Sequence, residues 1–203
     1  MNRKSKISTK WLLGVDEAGR GPLAGPVAVG VVLVKPDFDW KTIPGVGDSK
    51  KVTPKKSNPN FRRAKENKKE GKLDFQVALS SHLIIDDKGI VFAINKAMKR
   101  ALTKLTLNPD ECEIRLDGAL RAPSSFTNQQ TIIKGDSKEL CIGLASILAK
   151  VTRDQHMKRL STKYPLYNFD IHKGYGTKDH RVRITKHGLS DIHRRTFCRN
   201  IHN

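Results

Sequence analysis

Eight consecutive residues, Val15-Asp16-Glu17-Ala18-Gly19-Arg20-Gly21-Pro22, restrict the fold of this chain more than any other stretch. They grow out of an apolar run, Trp11-Leu12-Leu13-Gly14-Val15, which is too short for a core helix and so predicts a short buried strand. Two acidic residues then stand at the strand end. Neighbouring strand side chains point to opposite faces, so Asp16 and Glu17 can serve one ion only where the strand stops and the backbone re-aims one of them. Gly19-Arg20-Gly21 supplies that bend, lets a bulky ligand approach the backbone N–H groups, and offers Arg20 as a phosphate partner. Standing alone, an acidic pair at a strand end more often marks a solvated turn. The rest of the chain decides between the two.

Charge points to the partner. Over 203 residues, 39 Lys and Arg stand against 20 Asp and Glu, giving a formal charge of +19 and an isoelectric point near 10.1. A polyanion is expected to bind, nucleic acid before an anionic membrane surface. The length suits one large domain or one with a small appendage, and a single domain over 1–203 is expected. Cys112, Cys141 and Cys198 are odd in number and far apart, which argues against a disulfide framework or a zinc site and fits a reducing cytoplasm. The apolar stretch after the basic residues 2–6 is too short for an export signal, and no membrane span is expected.

Beyond the first motif, the β-branched run from Pro26 to Val34 predicts a central strand that forms a hairpin with the first. Residues 54–74 are rich in Lys and Arg and suit a solvated basic helix or a partly ordered insertion, with Pro59 forbidding a helix that runs through it. Alternation of Phe75, Val77 and Leu79 predicts a strand over 74–80, and Ile90, Ile94, Ala97, Ala101 and Leu105 predict a helix over 88–105. Two more strands, 113–116 and 131–134, deliver Asp117 and Asp136 beside glycines. Strands and helices in this order predict a mixed α/β sheet whose strand ends gather acidic groups.

Asp16, Glu17, Asp117 and Asp136 are therefore the candidate site. Crowded carboxylates repel one another unless cations neutralise them, and a hard ion such as Mg²⁺ or Mn²⁺, completed by phosphate and water oxygens, is the usual solution. In a basic protein that chemistry is phosphodiester hydrolysis. His172, His180, His187 and His193 are expected at the surface or on phosphates. On the helix following Asp136, the residues Ser146, Lys150 and Asp154 fall four apart on one face. They form either a wet face with a Lys–Asp pair or a patch at the metal site or a phosphate. Tyr175, between Gly174 and Gly176, is either a surface aromatic in a glycine turn or a ring that a loop brings against a sugar.

Together these pieces resemble the type 2 ribonucleases H, and bacterial ribonuclease HII in particular. The similarity spans nearly the whole chain: Gly14-Val-Asp-Glu-Ala-Gly-Arg-Gly-Pro-Leu-Ala-Gly-Pro26, Asp48-Ser49-Lys50, Leu116-Asp-Gly118, Lys134-Gly-Asp-Ser-Lys138, Ala145-Ser-Ile-Leu-Ala-Lys-Val-Thr-Arg-Asp154, His172-Lys-Gly-Tyr-Gly-Thr177 and His187-Gly-Leu-Ser-Asp-Ile-His-Arg194. The resemblance implies a mixed five-stranded sheet flanked by helices, with a helical C-terminal part from about residue 155. It implies that Asp16, Glu17, Asp117 and Asp136 are catalytic metal ligands for Mn²⁺ or Mg²⁺. Substrate contacts fall on Gly19, Arg20 and Gly21, which face the ribose 2′-hydroxyl, on Tyr175 at an RNA-to-DNA junction, and on Ser49, Lys50, Ser146 and Lys150. The implied substrates are RNA–DNA hybrids and duplex DNA with embedded ribonucleotides, cut by a monomer to leave 5′-phosphate and 3′-hydroxyl ends. A junction resolvase of the same fold would share the carboxylates without the Gly-Arg-Gly and Tyr175 pairing. A non-catalytic RNA-binding protein would have no reason to keep four carboxylates amid so much positive charge.

Overall fold

The computed structural model describes residues 10–46 and 58–201. Ser49, Lys50 and the start of the basic segment lie outside the described residues. One five-stranded sheet runs in the order β3-β2-β1-β4-β5. Strands β1 (Trp11–Ala18), β2 (Val27–Val34) and β3 (Leu73–Ser80) form an antiparallel meander. Strands β4 (Cys112–Asp117) and β5 (Gln129–Ile132) continue the sheet from β1 in parallel. Helices α1 (Pro59–Lys69), α2 (His82–Lys88), α3 (Ile90–Thr103), α4 (Gly135–Lys138), α5 (Leu140–Lys163), α6 (Phe169–His172) and α7 (Lys178–His187) complete the described residues.

Strand β2 is buried along its whole length, as a run of Val, Ala and Leu must be when helices cover both sheet faces. Alternation assigns the faces. Leu13, Val15, Val29, Val31, Ile114 and Leu116 pack with Ile94, Ala97 and Met98 of α3. Val32 and Val34 pack on the other side with Leu144, Ile147 and Leu148 of α5. Helix α5 lies very close to the sheet. A Cβ at Gly14 would run into the Cys141 carbonyl, and one at Gly30 into the Ala145 carbonyl, so these glycines set the depth at which α5 docks.

Several boundaries differ from the sequence expectation. Strand β1 runs past Val15 to Ala18, because its pairing with β2 continues through Ala18↔Ala28 after its pairing with β4 has ended at Val15↔Leu116. The helix expected over 88–105 is α3, which starts after Gly89, at φ 85°, and ends at Thr103; a separate short helix, α2, precedes it. Strand β5 ends at Ile132 instead of residue 134, and Lys134, left-handed at φ 56°, turns the chain into α4. As expected, no helix runs through Pro59, which instead begins α1. Asn58 caps that helix, its side-chain oxygen accepting from the N–H groups of Asn60 and Phe61 at 2.9 and 3.2 Å, and proline's missing N–H is harmless in the first turn.

Residues 164–201 fold back over the loop joining β1 to β2. Leu23 donates its N–H to the Gly174 carbonyl at 2.8 Å, Gly25 to Ile192 at 2.9 Å, and Arg194 to Leu23 at 2.7 Å. Ala24, Met157, Tyr167, Phe169 and Ile192 form a small core beneath them. Asp86 of α2 accepts from the N–H groups of Arg195 and Thr196 at 2.8 and 3.0 Å, fastening the C-terminal segment to α2. Among the described residues no helix is long and apolar enough to cross a membrane.

Candidate active site

Because Val15 is in register with Leu116 on adjacent parallel strands, the next residues, Asp16 and Asp117, stand side by side at the strands' C-terminal ends. Open α/β sheets take their ligands at such ends. Val15 and Leu116 face α3, so alternation turns both carboxylates toward the α5 side. Asp16 is only 6% exposed. Its Oδ1 accepts the Glu17 N–H at 2.7 Å, and the Ser146 side chain hydrogen-bonds it from α5. Burial pushes the Asp16 carboxyl up to about 8; the Ser146 hydrogen bond opposes this, and the charges of Glu17 and Asp117 add to it. Asp117 Oδ1 accepts the Gly135 N–H at 2.6 Å, which pins the start of α4 to the end of β4. Asp136 is the next residue, in the first turn of α4.

Glu17 remains paired with Val29 in the strand, its charge acts on Asp16, and Arg20 donates to its Oε1 at 2.9 Å. The bend comes at Gly19, with φ 89°, within the Gly-Arg-Gly segment expected to supply it. The structure thus brings Asp16, Glu17, Asp117 and Ser146 into one electrostatic neighbourhood and ties Asp136 to it through the Gly135 backbone. Among the described residues, no three His, Cys, Asp or Glu side chains form a ready-made cage for an ion. Lys150, a turn beyond Ser146, is exposed, and its charge, with those of Lys173 and Arg153, works against the burial that raises the Asp154 carboxyl.

Two buried arginines organise the Gly19–Pro26 loop, and the sequence reading did not single them out. Arg194 is 0% exposed and donates to the carbonyls of Gly25, Arg20 and Gly19 at 3.0, 2.9 and 2.7 Å. Arg153 is 1% exposed and donates to those of Pro26, Lys173 and Ala24 at 2.8, 3.0 and 3.2 Å. The Gly19 and Arg20 carbonyls are therefore turned inward, not left open to a ligand as their neighbouring glycines suggested. Gly21 is exposed, with open space where a Cβ would lie. Ala145, Ala149, Arg153 and Met157 are all buried at four-residue steps, so helical spacing alone carried the signal that Arg153 points inward.

The Arg153 guanidinium also lies 5.7 Å from the ring centroid of Tyr175, whose side chain remains substantially exposed. The Gly19–Pro26 loop and the Tyr175 loop thus both rest on one guanidinium. The C-terminal histidines are a correction: His187 is exposed, but His172, His180 and His193 are buried. The rings of His172 and His180 stack at 4.2 Å, and the Phe169 ring meets both edge-on.

A mixed five-stranded sheet in this order, flanked by helices, is a fold of the ribonuclease H class, and solved structures share it. The ribonuclease H2 of Pyrococcus horikoshii OT3 superposes with a TM-score of 0.71 at 26% identity, over 95% of this chain and 97% of that one. Bst-RNase HIII in complex with Mn²⁺ shares the fold at a TM-score of 0.61 and 18% identity, over 90% of this chain and 64% of that one. Sequence makes the assignment narrower. The family model for ribonuclease HII matches residues 13–200, and the Ribonuclease HII of Endomicrobium trichonymphae is 47% identical over 184 residues, 91% of this chain and 83% of that protein. The chain belongs to the ribonuclease HII family and is a ribonuclease H endoribonuclease.

Proposed function

We propose that this enzyme hydrolyses the RNA strand of RNA–DNA hybrids and cuts at ribonucleotides embedded in duplex DNA, leaving 5′-phosphate and 3′-hydroxyl ends. The observation that carries the reading is the juxtaposition of Asp16 and Asp117 at matched register, beside Glu17 and Ser146, in a chain of formal charge +19. The donor set fits a hard divalent ion. Every candidate ligand is a carboxylate oxygen, and the Asp16 carboxyl, held up to about 8, lacks the counter-charge that a cation would bring. Asp16, Glu17, Asp117 and Asp136 would hold Mg²⁺ or Mn²⁺ from one side, with water and substrate phosphate oxygens completing the shell; Mn²⁺ is present in the Bst-RNase HIII structure. When bound, such ions supply an activated water and stabilise the leaving oxygen.

The chain's own residues orient the substrate. Ser146 holds Asp16 in place from α5, and Arg20 at the rim sits where it can exchange Glu17 for a phosphate oxygen. The backbone N–H groups of Gly19–Gly21 are assigned to the 2′-hydroxyl, the group that separates RNA from DNA. Tyr175 presents its ring to the sugar at an RNA-to-DNA junction, and Lys150 adds a phosphate contact; Ser49 and Lys50 have the same role in this proposal. The deciding experiment incubates the protein with Mg²⁺ or Mn²⁺ and end-labelled duplex DNA carrying one ribonucleotide, and maps the cut. Cleavage beside the ribonucleotide with a 5′-phosphate product is expected. Cleavage of all-DNA junctions instead would identify a resolvase.

A further inference from the structure

Three buried histidines stand directly behind the Tyr175 loop, and their hydrogen bonds have a direction. The Tyr175 carbonyl can only accept, so His180 Nδ1, 2.9 Å away, must donate to it. In a neutral ring His180 Nε2 is then an acceptor, and the proton between it and His193 Nε2, at 3.0 Å, belongs to His193. That leaves His193 Nδ1 as an acceptor, which takes the Ser190 N–H at 2.8 Å. His172 follows the same logic: Nε2 donates to the Tyr167 carbonyl at 2.6 Å, and Nδ1 accepts the Gly174 N–H at 3.1 Å. All six ring nitrogens have partners, and each ring has one permitted tautomer.

Packing alone would not require this arrangement. An apolar side chain could fill the space between Phe169 and the loop. A polarised chain from the Ser190 backbone through two imidazoles to the Tyr175 carbonyl needs side chains that accept at one end and donate at the other. The chain ends on the residue whose exposed ring rests over Arg153. The Tyr175 carbonyl also accepts the Thr177 N–H at 2.8 Å, and the Tyr175 N–H donates to the His172 carbonyl at 2.9 Å, so His180 supplies one of three bonds that hold this residue's backbone.

We propose that the Ser190–His193–His180 chain is a positioning device that fixes the peptide of Tyr175, and with it the ring, so that His180 and His193 set selectivity for an embedded ribonucleotide without touching the substrate. The inference rests on the junction role given to Tyr175 above.

Two substitutions separate positioning from packing. The amide nitrogen of asparagine takes the place of His Nδ1 and that of glutamine the place of Nε2. His180→Asn therefore keeps the donor to the Tyr175 carbonyl, and His180→Gln loses it. The readout is kcat/KM on duplex DNA with one ribonucleotide divided by kcat/KM on a long RNA–DNA hybrid, alongside thermal melts. His180→Asn should keep the wild-type ratio, whereas His180→Gln should lower it about fivefold, the size expected for one hydrogen bond. Tyr175→Ala should then lower the ratio less in the His180→Gln background than in the wild type. Should His180→Gln not fold, the same cycle is run at His193, where His193→Gln keeps a donor toward His180 and should retain the ratio, and His193→Asn loses that donor and should lower it. Asn and Gln variants that share one ratio, whether at the wild-type value or reduced in step with melting temperature, would overturn the proposal. Equal losses on both substrates for Tyr175→Ala would instead overturn the junction role of Tyr175 itself. A lowered ratio for Tyr175→Ala with none for His180→Gln sinks the relay alone.

Discussion

Replacing Asp16 or Asp117 with asparagine removes one charge and almost no volume, so it separates what a carboxylate does for an ion from what it does for the fold. Asp16 is buried and repelled by Glu17 and Asp117, and the neutral amide relieves that repulsion in the ion-free protein. Either variant is expected to melt no lower than the wild type, to keep duplex affinity, and to lose cleavage of a single-ribonucleotide duplex in Mg²⁺. Full activity in either one would remove that carboxylate from the site. The pair was legible in the sequence because an acidic residue at the end of an apolar run is conspicuous. Arg153 and Arg194 were not, since a basic composition makes every arginine look like a surface cation. What holds them is a cage of carbonyls assembled from residues 19 to 26 and Lys173; helical spacing hints that Arg153 points inward, but nothing local to Arg194 announces its place.

Among the elements, the sheet was the most legible part. The β-branched run of β2 and the alternation in β3 predicted their strands, and the hairpin between β1 and β2 followed from the glycines and prolines between them. Breaks imposed by single residues were harder. The apolar spacing of Ile90, Ile94, Ala97 and Ala101 shows where a helix face lies but not that the chain before Gly89 forms a separate helix. Lys134 adopts a conformation usually left to glycine, so nothing in its identity foretold the end of β5. The docking of α5 provides a test at this scale. Gly30→Ala would drive a methyl into the Ala145 carbonyl, costing about 1–3 kcal/mol as overpacking and moving α5 away from the sheet. Ser146 would move with the helix and loosen its hold on Asp16. Urea unfolding and cleavage rates measured together should show activity falling even at temperatures where the variant is fully folded; unchanged activity would mean that Ser146 does not depend on this contact.

For the molecule as a whole, the buried histidines make stability depend on pH. Burial, the largest cause, pulls His180 and His193 from 6.5 to about 4, with each ring's neighbouring imidazoles acting in the same direction. Hydrogen bonds to the Tyr175 and Ser190 backbones and the charge of Asp179 oppose this only in part. Between 6.5 and about 4 the unfolded chain takes up protons that the folded one refuses. The stabilisation is complete above 6.5 and is lost as pH falls toward about 4, after which the loss levels off. Urea midpoints measured across that window should fall with acidity and fall less in His180→Asn. A flat profile would mean that the rings charge without resistance and are not sealed from water.

The cage around the Gly19–Pro26 loop also imposes an order on synthesis. The ribosome makes Asp16 and Glu17 first, yet the groups that fix the loop beside them, Arg153, Ile192 and Arg194, emerge far later. A nascent chain therefore carries its acidic pair for most of its synthesis with the carbonyls of Gly19, Arg20 and Gly25 still without their guanidinium. A chain stopped after Ser190 should retain the circular dichroism of the sheet and α5 but cut an embedded ribonucleotide far more slowly than the full chain, and wild-type rates from it would show that the loop forms without its late partners. The slow cutting expected of such a chain means that most of the activity would arrive only after Arg194 has been added.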